Sequence, residues 1–220
     1  DLIEAYMYGW MMVNFHLFGW TQLCARFLRE YQGLEYGEFY GLLFDYIRDK
    51  SISTFFFGQY QNTKKRIIKY LTEGEIKVNL KDEIGLDLKF VGHNLMHASQ
   101  SILRYNSDQT IGALRPFFEM VTKDLLPDLQ HDLIRSQEAC LITPGAQYPR
   151  QVDFGWNVYD YVFQSLDLDR VRSTYEIDYV PELRKFTPNI DNQSMTEFLN
   201  MFWLKRRWGP GVANATLINH

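Results

Sequence analysis

Residues 5–25 read AYMYGWMMVNFHLFGWTQLCA, a run bounded by Glu4 and Arg26 with no charged residue inside it. At 100° per residue, Asp1, Glu4, Gln22, Arg26, Arg29 and Glu30 fall into one narrow stripe. The middle of that stripe is taken by Tyr8, Met11, Met12, Phe15 and Gly19. The spacing predicts one continuous helix, amphipathic at both ends and apolar on nearly every side at its centre. A helix of that profile is wrapped by other elements, so it is the expected core of the fold.

A membrane span needs roughly 20 apolar residues, and the run has that length. It also carries Asn14, His16, Thr21, Gln22 and two glycines, and the mean hydropathy of the chain is -0.30, so no membrane partner is expected. Asn14 and His16 lie off the solvated stripe. The plainer reading makes each a core side chain with a hydrogen-bond partner; the functional one has them face an interior cavity. With Gln22 and Arg26 they are candidates for a substrate- or cofactor-facing set.

Working outward, the 220 residues fit one large domain or two small ones. A content of 46% hydrophobic and 16% aromatic residues is enough for a substantial core, or for an aromatic-lined pocket. The formal net charge of -4 argues against a general nucleic-acid binder, which carries basic excess. Cys24 and Cys140 stand far apart, so no disulfide framework or cysteine-rich metal site is implied, and a reducing cytoplasm is the default. The chain opens on Asp1 inside what already reads as helix, which suggests a segment of a longer protein.

After the first helix Gln32-Gly33 is a stop signal. A second helix is expected over 36–49, with Phe39, Leu42, Leu43, Tyr46 and Ile47 inward. A third, capped by Ser51 or Ser53, is expected from Thr54 to Glu73 with Gly74 closing it. Its basic residues Lys64, Lys65, Arg66 and Lys69 read as a solvated face before they read as a phosphate site. Ile76, Val78 and Leu80 alternate as in a short strand, and 86–105 is expected to be helical. Asp108 is the expected cap of a helix through Met120, and a further helix spans 128–138.

On the 86–105 helix, His93, His97, Gln100 and Arg104 share one polar stripe, the histidines at i, i+4. That spacing suits metal binding, but the zincin pattern needs Glu where Asn94 stands, and Arg104 repels a cation. A third ligand would have to come from the face carrying Asp128, His131 and Asp132. A solvated or hydrogen-bonding stripe is the favoured reading, and no metal site is assigned.

The segment 141–151 carries two prolines and a glycine and reads as a linker or long ordered loop. Residues 153–165 open extended and continue as helix, and 173–180 alternate as a strand. A last helix is expected over 194–207. Arg206 and Arg207, ahead of Trp208-Gly209-Pro210-Gly211, are candidates to hold an anion, although a cationic helix end is the plainer account. The expected fold is mainly α, an irregular multi-helix domain with a few short strands. It divides into a helical core domain at 1–140 and an aromatic-rich extension packed on it at 141–220.

The sequence holds no Walker loop, dinucleotide fingerprint, nucleophile elbow, Cys-x-x-Cys or Glu-x-x-His. Trp10, Phe15-His16, Gly19-Trp20, Gln22 and Arg26-Phe27-Leu28 resemble the helical region after the catalytic barrel of cobalamin-dependent radical S-adenosylmethionine enzymes. Arg206-Arg207-Trp208-Gly209 is similar to the way some such chains close. The family's Cys-x-x-x-Cys-x-x-Cys and Asp-x-His-x-x-Gly do not occur in these residues. The resemblance implies that both lie upstream, in catalytic domains of the same chain. They would hold the 4Fe-4S cluster, S-adenosylmethionine and cobalamin there. It also implies that this region closes an active site for methyl transfer or related radical chemistry on a small-molecule substrate. The alternative is a non-catalytic helical interaction or scaffold module, binding through aromatic surfaces around Tyr31–Tyr46 or Trp156–Phe163.

Overall fold

The computed structural model describes residues 1–74, 77–91, 95–141, 143, 148–178, 195 and 214–219. In the first segment the predicted single helix is broken. Helix α1 (Leu2–Met11) runs into a π-helical turn (Met12–Leu17), the chain bends at 18–21, and α2 (Gln22–Gln32) follows. Phe18 N reaches back five residues to the Val13 carbonyl at 3.1 Å, and Thr21 N donates to the Phe15 carbonyl at 3.0 Å. Gly19 makes the bend with φ of 81°, a conformation that a Cβ penalises. The enclosure expected for this region is nonetheless present: Trp10, Met11, Phe15, Trp20, Leu23, Phe27 and Leu28 are buried.

Helix α3 (Tyr36–Arg48) packs on α2, and α4 (Thr54–Glu73) lies across α1 and α3. Ser53 caps α4, its hydroxyl accepting from Phe56 N at 3.2 Å. Phe15 meets Phe56 edge-on at 5.5 Å, and Phe39 meets Phe117 at 5.3 Å. Each such pair adds about 0.5–1.5 kcal/mol to the burial of the rings themselves. The inward face of α3 differs from expectation by a small rotation: Leu42 is 41% exposed and Tyr40 fully buried.

Strands β1 (Lys77–Asn79) and β2 (Lys89–Val91) form an antiparallel ribbon around the short helix α5 (Lys81–Ile84). A helix starting at residue 86 is therefore wrong. Leu86 and Leu88 are buried and Asp87 and Lys89 exposed, a period of two that belongs to extended chain. Helix α6 (Leu95–Tyr105) begins only after it, followed by α7 (Ser107–Val121) and α8 (Pro127–Ala139), with Pro127 in the first turn. Asn106, not Asp108, occupies the N-cap of α7.

The later residues give β3 (Arg150–Phe154), α9 (Val158–Gln164), β4 (Ser173–Asp178) and β5 (Asn214–Asn219). The three strands make an antiparallel sheet with β4 in the centre, and β5 was not expected from the sequence. Ser173, Tyr175 and Ile177 alternate inward along β4. Helix α9 packs on α2 and α8. The architecture is mainly α, an irregular multi-helix arrangement with a few short strands. Among the described residues no helix is long and apolar enough to cross a membrane.

Candidate functional site

The break between the π-turn and α2 gathers several of the fold's buried polar side chains, among them Thr21, Gln100, Arg104 and Gln137. Inside an apolar core, the amides and carbonyls that a bend removes from the helical ladder need other partners. Two later helices supply them. From α8, Gln137 accepts from Cys24 N at 3.1 Å through Oε1, and its Nε2 donates to the Gly19 carbonyl at 2.9 Å. From α6, Arg104 Nη2 donates to the Phe18 carbonyl at 2.6 Å while its guanidinium lies 4.4 Å over the Trp20 ring. Gln100 Oε1 accepts from Trp20 Nε1 at 3.2 Å.

Gln100 and Arg104 are thus fully buried and bond inward, which corrects the solvated half of the reading for these two residues. His93 lies outside the described residues. The backbone of His97 is in α6, and its side chain lies outside them too. The third-ligand face on α8 is otherwise engaged. Asp132 Oδ2 accepts from Gly155 N at 2.6 Å and Trp156 N at 3.1 Å, and Asp128 pairs with Arg170 at 2.7 Å. Among the described residues no group of three His, Cys, Asp or Glu side chains converges as a metal site.

His16, near the end of the π-turn, is half-buried between two tyrosines of α3. Its ring stands edge-on to Tyr36 at 5.6 Å and to Tyr40 at 5.4 Å, and Nδ1 lies 2.7 Å from Tyr40 Oη. Tyr40 Oη is also 3.3 Å from Thr21 Oγ1, which donates to the Phe15 carbonyl at 3.2 Å. Burial lowers the pKa of His16 from its ordinary 6.5, so the ring is neutral near pH 7. Burial raises that of Tyr40 well above the usual phenol range, so it stays protonated. The site therefore presents a neutral imidazole backed by a protonated phenol and a hydroxyl.

The other candidates separate from it. Asn14 is buried in the core, its Nδ2 donating to the Trp10 carbonyl at 2.7 Å. Its Oδ1 has no hydrogen-bond partner among the described residues. Gln22 is half-exposed on the first turn of α2. Arg26, also half-exposed, pairs with Glu30 at 3.0 Å and lies 5.6 Å over the Phe163 ring. Arg206 and Arg207 lie outside the described residues. Of the four basic residues on α4, Arg66 pairs with Glu83 and Lys69 with Glu73 at 3.7 Å, while Lys64 Nζ lies 6.0 Å from the centre of the Tyr60 ring.

Tyr40 and Thr21 were missed from sequence. A hydroxyl inside an uncharged run was the available signal for Thr21, since a buried hydroxyl requires a partner. The two aromatic stretches named as alternative surfaces meet each other. Phe27 and Tyr31 of α2 contact Tyr161 of α9 at 5.4 and 6.4 Å, with Tyr31 and Phe163 both more than two-fifths exposed. An open cleft of about 650 Å³ lies beyond α9, lined by Asn157, Asp160, Asp167, Asp169 and Arg170. Asn14, His16, Gln22 and Arg26 do not line it.

Fold and site together define an irregular helical domain with an aromatic-flanked imidazole at a helix break. Compared with known protein families and with curated proteins, the chain finds no match.

Proposed function

We propose that this chain is the helical region that closes the active site of a cytoplasmic cobalamin-dependent radical S-adenosylmethionine enzyme. Its partners would be the upstream catalytic domains of the same chain and a small-molecule substrate. The observation that supports this reading is how the resembling run divides. Trp10, Phe15, Gly19, Trp20, Phe27 and Leu28 are buried and so accounted for by packing. His16, Gln22 and Arg26 are the members left partly open, and packing alone gives them no need to be polar.

This region's own residues do not fit the cluster. Cys24 and Cys140 are both buried where α2 meets α8, each bonded to Gln137, and burial raises both thiol pKa values, that of Cys140 to about 12. The cluster, S-adenosylmethionine and cobalamin therefore belong to the upstream domains, and the part left to this region is to exclude water and orient substrate. Sequencing the gene upstream of Asp1 tests the proposal. A Cys-x-x-x-Cys-x-x-Cys motif is expected there, and its absence sinks the reading. In the complete chain, H16A and R26A should lower methyl-transfer or radical activity while the thermal midpoint of R26A stays within a degree or so.

A second reading, a non-catalytic interaction or scaffold module, is favoured by the joined aromatic patch of Tyr31, Tyr161 and Phe163. Light scattering on the purified chain discriminates between the two. Concentration-dependent association that F163S abolishes supports the module.

A further inference from the structure

We draw no further inference here: the strongest candidate, the open cleft of about 650 Å³ beyond α9, is lined by the acidic cluster of Asp160, Asp167 and Asp169, whose buried member Asp160 is already bonded to Tyr175 Oη at 2.8 Å and Gln164 Nε2 at 3.1 Å, so that no second observation points to a ligand.

Discussion

Asp132 and Gly155 are bound carboxylate to amide at 2.6 Å, which ties α8 to the turn between β3 and α9. The same oxygen holds Trp156 N, so one side chain satisfies two amides freed where the strand ends. D132A should destabilise the fold by about 1.5–3 kcal/mol, the range for hydrogen bonds to a charged group. A Cβ on Gly155 would stand 3.3 Å from that oxygen, closer than comfortable contact. G155A should therefore cost about 1 kcal/mol through displacement of the carboxylate. Urea unfolding of both variants measures this, and a neutral D132A contradicts the tie.

Gln137 carries a larger share. Q137L fills the space but leaves Cys24 N and the Gly19 carbonyl without their partners in a fully buried setting. The expected loss is about 1–3 kcal/mol for each orphaned group. Q137E restores the acceptor and not the donor, so it should fall short of wild type as well. Equilibrium denaturation that ranks Q137E or Q137L level with wild type would remove the bend from the list of supported features.

His16 makes stability depend on pH in a defined sense. Its pKa is lowered in the folded state by burial, so the unfolded chain takes up the proton first as pH falls through about 6.5. Stability is complete above that value and declines below it, down to the folded pKa. H16Q should lose less stability than wild type between about pH 7.5 and pH 5. Near pH 7 the substitution of His16 by Ala should cost only about 0.5–1.5 kcal/mol, because Tyr40 keeps its contact with Thr21. Denaturation midpoints at both pH values decide it; parallel losses refute the buried-imidazole account.

The two thiols should be silent in the native chain. Cys24 and Cys140 are both fully buried, and burial raises the pKa of each, so little thiolate exists at mild alkaline pH. Reaction with Ellman's reagent should proceed only at the rate of unfolding and give two thiols at once in denaturant. A fast native phase of even one thiol is incompatible with this packing.

Much of the helical fold was legible because its signals are local. Ser53 at the start of α4, Gly33 and Gly74 at helix ends, and Pro127 opening α8 act within a few residues of chain. The failures share a different origin. Residues 5–25 look like one helix because every side is apolar, and nothing local states that Gln100, Arg104 and Gln137 are available to satisfy a break. The same blindness left Gln100 and Arg104 as either a solvated or a hydrogen-bonding stripe: which of the two holds depends on distant partners that the local sequence does not name. At 86–90 the error was one of period, with Leu86 and Leu88 alternating as a strand does. Of the candidate site, His16 was legible as an odd polar residue in an apolar run. Thr21 was legible only as a hydroxyl in the same run, and Tyr40 not at all, since only the tertiary fold brings α3 against the π-turn.

The bend also sets an order of events during synthesis. Its clasp spans 113 residues from Cys24 to Gln137 and 118 from Gly19 to the same side chain. At roughly 5–20 residues per second, the ribosome needs several seconds or more after making the bend to produce its clasp. Through that interval the most apolar run of the chain waits with backbone groups unpaired. Residues 5–25 thus stay incomplete until α8 is made, and a chaperone that shelters the nascent chain has a natural target in them.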